Sequence, residues 1–167
     1  MQHSELLLTF AEIGVAFAGF ASLISLLGAA SEVIDASRLL GMVRTSLFAT
    51  AFSLFPFLPS VLGASEASVW RISGSVFFVV SGLHTFFAWR QLHHLWQRGV
   101  WKMRAGYYTF PAGACGLGLA LAAAVVSDAR LASGLYVASL AALLSVSGAL
   151  FLGVFTSFVQ GRRRSGT

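Results

Sequence analysis

The chain has 167 residues, 57% hydrophobic and only 10% charged. A soluble domain carries about 25% charged residues, so this chain lacks the polar groups to cover a water-facing surface, and bilayer hydrocarbon is the solvent that suits it. Its net charge of +5 does not point to nucleic acid, because the basic residues gather at the ends of apolar segments rather than along a stripe.

Cys115 is the only cysteine, which excludes an intrachain disulfide, and the absence of Asn excludes an N-glycosylation acceptor. Basic residues are nearly all Arg and Ala is abundant, a composition that suits a bacterial inner (plasma) membrane. No Lys or Arg precedes the first apolar stretch, which is also longer than a signal-peptide core. The expectation is an all-α, polytopic integral membrane protein forming a single transmembrane domain. Windows of about 20 residues divide it into five spans, about 5–29, 37–62, 69–96, 107–127 and 131–159.

The first span alternates spacings of three and four between small residues, at Ala11, Gly14, Ala18, Ala21, Ser25 and Gly28. Such a seam lets two helix backbones approach closely, which drives packing where water does not. At about 100° per residue, Glu12, Ala16, Gly19 and Leu23 fall on the opposite side. A helix able to accept neighbours on two faces belongs at a central position or at a subunit interface, so a homo-oligomer is expected. Glu12 itself is costly in a span, by about 2.5–3.5 kcal/mol at a helix centre. It reads either as a site on a wet path for a cation or proton, or as a neutral or hydrogen-bonded packing device.

"SEVIDASR" leads into the second span and offers Asp35 and Ser37 as helix caps. Arg44 lies one and a half to two turns inside, where its long stem can snorkel to the cytoplasmic surface or attract anions at an inner mouth. In "LFPFLP", Pro56 and Pro59 free the carbonyls of Phe52 and Phe55 and predict a kink. Those carbonyls are then open to cations, Ser side chains or water.

The third span follows "GASEAS", with Ser65 and Ser68 as caps, and holds His84 near its middle beside Ser81 and Thr85. A neutral imidazole there can hydrogen-bond across helices, relay protons or sense pH. A haem would want a second central histidine, and His93 and His94 are adjacent positions about 100° apart, so neither a cofactor nor a metal is expected. Arg71 and Arg90 read as anchors near the ends of this span.

In the fourth span Ala112, Gly116, Ala120 and Ala124 keep a strict spacing of four, with Pro111 in the first turn capped by Thr109. After the tight turn "SDAR", the fifth span carries Gly134, Ala138, Ala141, Ser145 and Gly148 as a second small-residue seam.

Arg98, Lys102, Arg104 and the tail Arg162, Arg163 and Arg164 fall on one side with Arg38 and Arg44, and only Arg71 and Arg130 fall on the other, together with Glu5, Glu66 and Asp128. The positive-inside rule then places the N-terminus outside and the C-terminus in the cytoplasm. Trp70, Trp89, Trp96, Trp101, Tyr107 and Tyr108 fall near the expected interfaces, where amphipathic rings are favoured.

No GxSxG, HExxH, CxxC or P-loop pattern is present and no pair of intramembrane carboxylates exists, so no catalytic residue is expected and the chain does not read as an enzyme. Charges placed at several depths and the two-faced first span lead to the expectation of an oligomeric ion channel or channel-like pore, with Glu12, His84 and Arg44 along its path. The scarcity of polar residues keeps an alternative, a non-conducting accessory subunit packed against another membrane protein. The expected partners are the lipid bilayer, further copies of the chain or a second membrane protein, and not nucleic acid.

Overall fold

The computed structural model describes the backbone of residues 3–26, 33–97 and 106–165, and the side chains of 3–26, 38–87, 89–90 and 113–156. The described residues form six helices in chain order: α1 (Ser4–Leu26), α2 (Val33–Leu54), α3 (Phe57–Val61), α4 (Glu66–Gln97), α5 (Gly106–Val125) and α6 (Ala129–Ser165). No strand occurs among the described residues.

Among the described residues, three stretches are long and apolar enough to cross a membrane, Ser4–Leu26, Arg38–Val61 and Ala129–Thr156, which is fewer than the five the sequence suggests. The apolar described part of α5, Gly113–Val125, covers about 20 Å at helical rise, short of the ~30 Å hydrocarbon core. α4 has the length, at 32 residues, but carries a polar strip through Ser73, Ser81, His84 and Thr85. The exterior is studded with large apolar side chains, among them Phe20, Leu23, Leu47, Leu83, Phe87, Leu152 and Phe155, each more than half exposed. So apolar an exterior suits lipid better than water.

The helix ends follow local chemistry. Pro56 has no N–H to offer Phe52, so α2 stops and α3 restarts the chain after it, with the Leu58 N–H donating to the Phe55 carbonyl at 3.0 Å. Gly63 closes α3 in the left-handed region at φ +81°, where a side chain is strained. Ser65 accepts from the Ser68 N–H and caps α4. Asp128 accepts from the N–H groups of Arg130 and Leu131 and caps α6. Other expected caps move: α2 already begins at Val33, ahead of Asp35 and Ser37. α5 begins at Gly106, which puts Thr109 and Pro111 inside the helix.

α6 is the spine of the bundle, lying against α5, α2, α1 and α4. α1 packs chiefly on α2, and α4 chiefly on α5. α2 and α4 approach one another far less closely than either approaches α6. One core cluster joins Leu7, Phe52, Trp70, Phe77, Tyr136 and Leu140. A second, towards the other end of α1, joins Ala21, Leu39, Met42 and Val154.

The small residues separate into contacts and bare surface. Ala11, Gly14 and Ala21 are buried, Ala18 is half-buried and Ser25 is exposed, while Gly28 lies outside the described residues. A Cβ at Gly14 would collide with the Thr50 hydroxyl and lie 2.8 Å from the Ser46 carbonyl oxygen, so α1 and α2 touch backbone to backbone there. Gly74 does the same between α4 and α5, 2.9 Å from the Ala124 nitrogen and 3.0 Å from the Ala120 oxygen. Gly116 and Ala120 are buried, Gly116 against Ser139 and Ala142 of α6, and the side chain of Ala112 lies outside the described residues.

On α6 the expected seam faces the wrong way. Gly134, Ala138, Ala141 and Ser145 are exposed and only Gly148 of that seam is half-buried, near the Phe17 ring, whereas Ala132, Ser133, Tyr136, Ser139, Leu140 and Ser147 point inward. As the spine, α6 must fill space between four neighbours, and the face bearing Tyr136 and Leu140 has the volume to do so. Trp70, near the start of α4, is fully buried against Tyr136 with ring centroids 5.8 Å apart, so its ring faces into the bundle. Trp89 is exposed, and the side chains of Trp96, Trp101, Tyr107 and Tyr108 lie outside the described residues.

Candidate functional site

Several polar groups inside the bundle satisfy one another across helices. The Thr50 hydroxyl lies 3.0 Å from its acceptor on Ser46 and 3.3 Å from the Ala11 carbonyl, stitching α2 to α1. The hydroxyls of Thr45 and Ser147 lie 2.6 Å apart and Ser46 donates to Ser147 at 3.3 Å, stitching α2 to α6. Arg38 donates to the Gly153 carbonyl of α6 at 3.4 Å.

The kink is closed in the same way. The Tyr136 hydroxyl donates to the Phe52 carbonyl at 2.6 Å, the very acceptor that Pro56 releases. The Phe55 carbonyl, released by Pro59, is taken by Leu58. With Pro56 and Pro59 themselves buried, the two carbonyls that the prolines release are each taken by a protein donor. Tyr136 was not among the expected site residues. The signal for it was present, since a freed buried carbonyl demands a donor and a tyrosine in an apolar span is one of the few side chains that joins an apolar body to a hydroxyl.

Among the described residues, four buried side-chain polar atoms have no hydrogen-bond partner: Oγ of Ser53, Ser73 and Ser81, and Nε1 of Trp70. Three of these residues, Trp70, Ser73 and Ser81, lie with Phe77 and His84 at spacings of three and four on one face of α4.

The three ionisable residues do not converge inside one copy. Glu12 is exposed on α1, with no hydrogen-bond or ion-pair partner among the described residues. Ala16, Gly19 and Leu23 are exposed with it, and a Cβ at Gly19 would meet nothing within 4 Å. Arg44 is exposed on α2, and His84 is half-buried on α4. These two stand on the same side of the molecule: the His84 ring packs on Phe48 with centroids 4.7 Å apart, and Arg44 lies one turn from Phe48, within electrostatic reach of His84. No group of three metal-ligating side chains occurs among the described residues. Cys115 is exposed on α5.

No known protein family, curated protein or solved structure matches the chain.

Proposed function

We propose that the protein is an integral membrane subunit that works by side-to-side association with other membrane-embedded chains, rather than by conducting through its own bundle. One observation carries this reading. Glu12 and Arg44 are exposed and His84 is half-buried beside Phe48, while the interior of the bundle is filled by Trp70, Phe77, Tyr136, Leu140 and a set of small residues. A charge held towards lipid is expensive, and a partner in the membrane relieves that cost.

The reading includes five spans in a bacterial inner membrane, with the N-terminus outside. The basic run Arg98, Lys102 and Arg104 and the tail Arg162, Arg163 and Arg164 are then cytoplasmic. α4 and α5 complete the count, α5 using its full length from Gly106 to Val125.

A second reading, an oligomeric channel-like pore, draws support from the same outward placement, because ions would then pass between copies along Glu12, His84 and Arg44. Flux assays on the purified protein in liposomes separate the two. The accessory reading expects no small-ion flux over a wide pH range. Flux that Glu12→Gln abolishes establishes the pore instead.

A further inference from the structure

Glu12 and His84 stand on different sides of the bundle but at the same level along it. The Thr50 hydroxyl donates to the Ala11 carbonyl, and Gly14 abuts the Ser46 carbonyl. Residues 11–14 of α1 are therefore level with 46–50 of α2. Phe48 lies in that layer, and the His84 ring packs against it. The match extends one turn further. α1 and α2 run antiparallel, so Ala16 and Gly19 lie towards the start of α2, where Arg44 sits about 6 Å along the axis from Phe48.

Level matters because copies of a membrane protein share one orientation. Rotation about the membrane normal moves a residue sideways and never changes its depth. In a cyclic assembly two different faces can therefore meet only through residues at equal depth in the single copy.

The faces are also complementary in charge and bulk. The outward face of α1 presents a carboxylate followed by small residues, Glu12, Ala16 and Gly19. The seam between α2 and α4 presents an imidazole and a guanidinium, His84 and Arg44, on two helices that approach each other little. We infer that the α1 face of one copy docks on the α2–α4 seam of a second copy, head to tail. Glu12 of the incoming copy then accepts a hydrogen bond from His84, and the bare turn at Ala16 and Gly19 makes room for the Arg44 side chain. Each copy offers both faces, so the contact propagates around a ring. α1–α1 pairing would instead set one Glu12 against another, where like carboxylates repel. This inference rests on the reading of the chain as a membrane subunit and adds the identity of the neighbour.

Disulfide mapping of the full chain in membranes tests it. Cys115 is exposed and is first replaced by Ser, so that only introduced thiols react. In that background the pair Glu12→Cys with His84→Cys gives a ladder of linked multimers on oxidation, while each single variant stays monomeric. A ladder missing from the double variant, or Glu12→Cys alone linking as strongly, overturns the inference. Because Cys replacement removes the polar pair itself, Ala16→Cys with Arg44→Cys provides a second probe with Glu12 and His84 intact, and its ladder is also expected. Glu12→Gln should weaken association about 3- to 30-fold in a bilayer dilution series, the range of intramembrane polar contacts. An unchanged association constant counts against the pairing. Membrane-inserted protein that fails these tests loses only the head-to-tail contact, whereas chain recovered outside the membrane fraction refutes the subunit reading itself.

Discussion

Two glycines on α1, five residues apart, show how differently one helix treats its two sides. Gly14 has no room for a methyl group, because the Thr50 hydroxyl and the Ser46 carbonyl already occupy the place. Gly19 has nothing within 4 Å of the same position. The inner face is held by backbone contact and by the Thr50 hydroxyl, and the outer face carries Glu12 with no partner among the described residues. In a bilayer, small residues gain association energy only where a neighbour approaches closely. The inner seam therefore secures the fold, and the outer one contributes nothing to a single copy.

This contrast can be broken from the inside first. Gly14→Val should have the largest effect, separating α1 from α2 at a cost of about 3 kcal/mol, the upper part of the usual overpacking range. Unfolding in mixed micelles, with proteolysis of the α1 segment as a second readout, measures it. Tyr136→Phe should cost about 1–3 kcal/mol in the same assay, because the Phe52 carbonyl loses its donor at a kink that cannot re-form a helical bond. Ser147→Ala removes the intramembrane hydroxyl contacts to Thr45 and Ser46 and should cost about 1 kcal/mol, at about 0.6 kcal/mol each. On the outer face, Gly19→Ala should leave single-copy stability within about 0.5 kcal/mol of the parent. A Gly19→Ala variant as damaged as Gly14→Val would mean that the two faces of α1 are alike.

Much of the helical layout is readable in the chain itself. The apolar windows fall on the helices, "LFPFLP" marks the break between α2 and α3, and Ser65 and Asp128 stand where α4 and α6 are capped. The spacing of Ala11, Gly14 and Ala21 picks out residues of α1 that are buried. The same reasoning misplaces α6, where an equally regular seam at Gly134, Ala138 and Ala141 faces out. Periodicity shows that a face exists without saying which face has a neighbour. The site residues divide likewise. Glu12, Arg44 and His84 stand out by type, as ionisable groups in apolar segments, but nothing in their spacing puts Arg44 beside His84 and Glu12 on another side.

What the sequence determines alone is local. Proline withholds an N–H, serine and aspartate cap helix ends, and apolar runs form helices in a solvent that cannot satisfy a bare backbone. Tertiary structure decides which groups those local events are answered by. Only packing brings Tyr136 to the Phe52 carbonyl 84 positions away, turns Trp70 into the bundle, and makes α6 rather than α1 the spine. The physical reason is that bilayer hydrocarbon is as apolar as Leu, so it does not rank the faces of an apolar helix. Volume, backbone approach and a few hydrogen bonds do, and these exist only once the helices have met.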